Sequence, residues 1–243
     1  MPRFFLCVER WCLSFLLLVL AAGAIVGAAA FRARSTEATG WYATAIAGRT
    51  IVLDPGHGGV DPGAHYREEI LEKDLVLQIA GRLKRFLENA GATVIMTRTG
   101  DYDLAPPEIK SLAARKRYDL RARVELANCA GADIFLSIHV NTSRDPGKAG
   151  VHVYYSEKPG SDVLARYIEE EMWRYIGKER MPLPGRYFVL RETRMPAVLV
   201  EAGFLSNPRE KALLCDGTYQ ERLSWAIFRG VVRYFGEASS SGM

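Results

Sequence analysis

The stretch Thr50-Ile-Val-Leu-Asp-Pro-Gly-His-Gly-Gly59 constrains this chain more than any other. A short apolar block bounded by Pro and Gly reads as a buried strand. It stops at a Pro-Gly turn and delivers His57 into a glycine-rich loop. In open α/β sheets, ligands collect just beyond the carboxyl ends of such strands, so His57 stands where a site belongs. Two other strand-like runs end alike: Ala132 to Asn141 finishes on His139, and Pro196 to Gly203 finishes on Glu201. Glu72 lies fifteen positions after His57, at the start of a helical pattern. Two imidazoles and two carboxylates at strand or helix ends have the composition of a catalytic zinc site. In such a site three protein ligands leave a position open for water and a further carboxylate serves as general base.

Each of these residues also has a plainer reading. A lone histidine near a glycine loop is more often structural than a ligand. A phosphate-binding loop, however, needs Lys-Ser/Thr after its glycines, and Asp61-Pro62 stand there instead. His65 lies in a loop of mixed charge and His152 within a strand, so both are read as non-ligands. Glu68 and Glu69 are explained by the dipole of the helix that follows them. Glu72 is preferred over them because it opens the apolar-periodic segment. A carboxylate placed after Ala-Val-Leu-Val, as Glu201 is, costs too much to bury unless it is paired or used.

Strands are expected over 50–54, 93–97, 132–141, 150–155, 187–190 and 197–201. Helices are expected over 71–89, 119–130, 161–176 and 219–235. The segment 100–118 reads as a loop with a short helix, holding Pro106-Pro107 and the basic Arg115-Lys-Arg117. Strands alternating with helices give an α/β single domain with a mostly parallel central sheet flanked by helices. The polar loop 141–148 and Arg186 to Arg194 are candidate walls of a substrate groove.

An N-terminal hydrophobic segment precedes this domain. Trp11 to Phe31 carries no charge, is flanked by Arg3, Arg10, Arg32 and Arg34, and is long enough to cross a bilayer. Its small-residue tail equally suits signal-peptidase cleavage, so residues 1–34 are read as a signal peptide or membrane anchor that exports the domain. Arginines on both sides leave the orientation open. Residues 35–48 read as a linker, 49–237 as the catalytic domain and 238–243 as a disordered tail. Half of the +4 formal charge comes from the first 48 residues, which leaves no basic surface suited to nucleic acid. Cys129 and Cys215 lack CxxC spacing, which excludes a thiolate zinc finger, and they read as small buried core residues with a disulfide between them left open.

Asp54-Pro-Gly-His-Gly-Gly59, Glu72-Lys-Asp74, Ser137-Ile-His-Val-Asn141 and Val200-Glu-Ala-Gly-Phe-Leu-Ser-Asn207 resemble the signatures of zinc-dependent N-acetylmuramoyl-L-alanine amidases. The similarity runs from about Arg49 to Phe235. The segments Asp103-Leu-Ala-Pro106, Arg115-Lys-Arg117 and Asp119 to Asn128 resemble the spore-cortex, germination-specific branch more narrowly. The loop Ala64 to Ile70 departs from the family in keeping less glycine. The resemblance implies Zn²⁺ held by His57, Glu72 and His139, with Glu201 as catalytic acid/base. It implies a peptidoglycan substrate whose stem peptides are stripped from muramic acid, so that muramic-δ-lactam can form in spore cortex. The place of action would be extracytoplasmic, the forespore intermembrane space if the narrower branch is right, with an activating protein partner left open. A non-catalytic peptidoglycan-binding module and a zinc carboxypeptidase acting on stem peptides are the rival readings. The HExxH helix of the common zinc proteases does not occur.

Overall fold

The computed structural model describes residues 45–66, 69–177 and 180–240. The expected signal or anchor segment and most of the linker lie outside these residues, as do Glu68 and the last three residues of the expected tail. Among the described residues no helix is long and apolar enough to cross a membrane.

Six strands form the central sheet: β1 (Thr50–Pro55), β4 (Thr93–Met96), β5 (Ile134–Asn141), β6 (His152–Tyr155), β7 (Leu183–Pro184) and β8 (Ala197–Phe204). Their order is β4-β1-β5-β8-β6-β7. The four strands from β4 to β8 are parallel, β6 runs antiparallel to β8, and β7 is parallel to β6. A small separate ladder, β2 (His65–Tyr66) with β3 (Ile70–Leu71), occupies the loop after β1. The helices are α1 (Glu72–Asn89), α2 (Leu112–Cys129), α3 (Ser161–Ile176), α4 (Phe188–Glu192), α5 (Pro208–Leu214) and α6 (Gly217–Ser240).

Strands buried on both faces need apolar residues at successive positions, and Ile51, Val52 and Leu53 of β1 are all inaccessible. Side chains alternate between the two faces of a strand. Val52, Phe135, Ala197 and Leu199 therefore share one face, where they pack with Val124 and Ala127 of α2 and with Val189 and Leu190 of α4. The alternation carries Asp54, His139 and Glu201 to that same face, at the carboxyl end of the sheet beyond the apolar cluster.

Four expectations are corrected. Tyr187–Leu190 is not a strand: the run leads into α4, because helical spacing buries Val189 and Leu190 and leaves Arg191 and Glu192 outside. The second helix begins at Leu112 rather than at 119, capped by Ser111 accepting from the Ala114 amide. That places Arg115 in the first turn of α2, where it bonds Asp103 and the carbonyls of Ala105, Pro106 and Ile109 and ties the preceding loop down. Helix α6 continues through Ser240, so the expected disordered tail is helical as far as it is described. Cys129 and Cys215 are free and exposed, each at a helix C-terminus where the chain turns out to solvent.

Candidate metal centre

β1 ends in a loop that buried arginines hold from behind. Arg123 of α2 donates to the carbonyls of Pro55 at 2.8 Å and His57 at 2.6 Å, and pairs with Asp54 at 2.7 Å and Asp119 at 2.8 Å. Arg98 donates to the carbonyls of Pro55 at 2.9 Å, Gly56 at 2.8 Å and Lys73 at 2.7 Å. Three successive carbonyls are thus pinned, and His57 is held in the left-handed region at φ 62°, an uncommon conformation for a non-glycine residue. Asp54 also accepts from Thr97 and Ser137 at 2.7 Å each. Burial alone would raise the Asp54 carboxyl, but Arg123 and these hydroxyls hold it below the ordinary carboxylate range.

Glu72 opens α1, and its carboxylate is fixed before any ion is considered. Oε2 accepts from the Ala64 amide at 2.7 Å, and Oε1 accepts from the Val140 amide at 2.9 Å. Oε1 also lies 2.9 Å from His139 Nδ1 and 3.3 Å from His57 Nε2. The two imidazoles meet edge to face with centroids 4.9 Å apart. Glycine makes this packing possible. A Cβ on Gly56 would stand 2.2 Å from His139 Cε1, and one on Gly63 would stand 2.5 Å from Glu72 Oε2.

His57, Glu72 and His139, the three expected ligands, therefore converge, with one ligating atom from each lying within 4.8 Å of the others. Donors ~2.1 Å from a tetrahedral ion stand about 3.4 Å apart, so small side-chain rotations would bring the set onto one cation. Two imidazoles and a carboxylate are also a donor set that suits zinc. The charges already favour a cation. Burial opposes protonation of His57, yet Asp61, whose Oδ2 lies 3.0 Å from Nδ1, and Glu72 outweigh it and push the imidazole up to about 9. Glu72 is raised by burial but held well below its usual range by His139 and His57.

Glu201 faces this cluster and does not join it. It is the cross-strand partner of His139, and its Oε2 is buried with no hydrogen-bond partner. Burial pushes its carboxyl up to about 7, with His139 and His57 opposing and Glu72 adding to the rise. A carboxyl poised near neutrality suits proton transfer in both directions. Beside it Tyr187 is kept protonated by burial, by Glu201 and by Tyr154. A cavity of about 380 Å³ opens over these groups, walled by Leu120 and Lys116 of α2, by Tyr187 to Val189, and by Asn141 and Thr142. The expected wall at 186–194 is thus aromatic and apolar. Its arginines, Arg186, Arg191 and Arg194, are exposed and do not line the cavity.

His65 is exposed and His152 lies one strand beyond Glu201, and neither belongs to the cluster. Sequence reasoning missed Asp61, Arg98 and Arg123. Arg123 did leave a signal, because it falls on the same helical face as Leu120, Val124 and Ala127, where a charge needs a buried partner.

Comparison with known proteins gives one consistent result. The family described as N-acetylmuramoyl-L-alanine amidase matches residues 51–233. A germination-specific N-acetylmuramoyl-L-alanine amidase of Bacillus subtilis is 38% identical over 94% of this chain and 95% of its own length. The CwlD amidase from Clostridioides difficile, solved in complex with the GerS lipoprotein, is 36% identical and superposes with a TM-score of 0.74 over 76% of this chain and 98% of its own. An N-acetylmuramoyl-L-alanine amidase from Clostridium difficile 630 is 33% identical, with a TM-score of 0.68 over 77% of this chain and 96% of that one.

Proposed function

This chain belongs to the N-acetylmuramoyl-L-alanine amidase family, and from that premise we propose a zinc-dependent hydrolase of the amide joining muramic acid to L-alanine in peptidoglycan. His57, Glu72 and His139 would hold the ion. When bound, zinc supplies Lewis acidity, making water more acidic and polarising the amide carbonyl. Glu201 does the proton work. Its carboxylate takes the proton of the attacking water as the new C–O bond forms at the lactyl carbonyl. It then returns that proton to the nitrogen as the C–N bond breaks, leaving a lactyl carboxylate and the free amine of L-alanine. Arg98 and Arg123 keep the His57 loop in place, and Tyr187 offers an uncharged hydroxyl to the cavity.

The observation that carries this reading is the buried Glu201 oxygen without a hydrogen-bond partner beside a complete three-donor cluster. A non-catalytic binding module has no use for either. The chain acts outside the cytoplasm, on the cell wall. We further assign residues 49–237 as the catalytic domain, which the match over 51–233 supports, and residues 1–34 as the export signal or anchor. Spore-cortex maturation is supported by the germination-specific relative. A protein partner is supported by the relative solved with a lipoprotein. The test is digestion of purified peptidoglycan with and without a chelator, read by mass spectrometry. Intact stem peptides with a free L-alanine amine, released only when metal is present, are expected. Loss of terminal residues alone would instead identify a carboxypeptidase.

A further inference from the structure

His139, Glu201 and His152 form one row across the sheet, since Glu201 is the register partner of His139 on β5 and of His152 on β6. Register partners point to the same face. The row therefore leads from the cluster, through the proton-transfer carboxylate, to a second cavity of about 500 Å³ that shares Asn141 and Thr142 with the first. Its lining includes Lys148, His152 and Arg180 and no acidic residue. Arg180 is half-buried and already oriented. Nη1 donates to His152 Nε2 at 2.6 Å and Nη2 donates to the Ala149 carbonyl at 2.6 Å. It makes no ion pair with any described carboxylate, although Glu169 of α3 lies near enough to feel its charge. Burial, then the Arg180 and Lys148 charges, hold His152 below its ordinary value, so it stays a neutral acceptor that steers the guanidinium without adding to its charge. Arg123 and Arg233 by contrast are matched, Arg123 by Asp54 and Asp119 and Arg233 by Glu170 and Glu171. A fixed guanidinium in a groove, without an ion-pair partner among the described residues, is suited to receive a carboxylate.

We propose that the pocket of Arg180, His152 and Lys148 binds a free carboxylate of the stem peptide, beyond the L-alanine whose bond is cut. The inference rests on the amidase reading. Of the two parts of the substrate, the glycan around the scissile bond is neutral while the peptide carries carboxylates, so the cationic cavity assigns the peptide's side of the groove. Its lip, Asn141 and Thr142, is common to both cavities, so one extended peptide can reach from the cluster to Arg180.

The test uses the zinc-loaded full chain and two soluble muropeptides. One carries free stem carboxylates, and in the other these are carboxamides. The wild-type protein is expected to favour the free acid by about tenfold or more in kcat/KM, expressed mainly in KM. Arg180→Gln is expected to bring that ratio close to one. Lys148→Gln, at an exposed position, is expected to lower it about threefold. Equal use of both substrates by the wild type, or an unchanged ratio in both variants, overturns the proposal. Failure of the amidase reading would look different: neither muropeptide would release a stem peptide with a free L-alanine amine.

Discussion

Glu201 on β8 is the direct cross-strand neighbour of His139 on β5, and only one of the two is tied to Glu72. On the proposed reading, adjacent positions on one sheet face separate holding a cation from moving a proton. Glu201→Gln should retain zinc at the wild-type level and lose activity by about 10²- to 10⁴-fold, whereas His139→Ala should lose both. Elemental analysis alongside a muropeptide turnover assay decides this. Wild-type turnover in Glu201→Gln would remove Glu201 from the chemistry.

Gly56 lets the His139 ring lie against the backbone, where an added Cβ would stand 2.2 Å from Cε1. Gly56→Ala should push that ring off Glu72 and weaken zinc binding by more than tenfold while the sheet stays folded. Competitive titration with a chromophoric chelator, with circular dichroism as the control for folding, measures it. Unchanged affinity would mean that the imidazole does not need this approach.

Arg123 and Asp54 are each 2% exposed, 2.7 Å apart and fully desolvated. Removing one partner of a buried pair typically costs about 3–5 kcal/mol. Arg123→Met should lose that much in urea unfolding, because Asp54 loses its counter-charge and the His57 carbonyl its donor. Adding Asp54→Asn should recover part of it. The pH sign also follows. With Arg123 present the Asp54 pKa is depressed, so its stabilisation is present above the unfolded value and is lost as pH falls through the folded one. Additive single-variant costs would count against the coupling.

Glu169 lies in α3 with one buried, unpartnered oxygen, and burial pushes its carboxyl from 4.5 up to about 7 against the pull of Arg180. A group whose carboxyl pKa is raised on folding binds its proton more tightly in the folded state. Its contribution is therefore intact below the unfolded value and declines as pH rises toward 7. Between pH 5 and 8 the wild type should lose stability relative to Glu169→Gln by an amount on the order of 3 kcal/mol. Denaturant titrations at the two pH values test this, and parallel pH slopes would contradict it.

The legible part of this protein was whatever a local pattern could carry. β-branched blocks ended by Pro-Gly or by a polar residue marked β1, β5 and β8, and those strands delivered His57, His139 and Glu201 to one end of the sheet. Glu72 was legible because it opens a helical period. Tyr187 to Leu190 was misread because four apolar residues fit a strand and a helical turn equally well. Cys129 and Cys215 were misread because residue type is only a statistical guide to burial.

By itself the sequence determined the α/β alternation, the four chemical groups and their distribution over separate elements, since hydrophobic period and turn chemistry act over a few residues. Only the tertiary structure decided that Glu72 receives two amides, that Arg98 and Arg123 grip three consecutive carbonyls, and that Arg180 stands over a groove without a described carboxylate. Those facts depend on which distant segments share a desolvated space. Desolvation and charge pairing are properties of that space and leave no periodic trace along the chain.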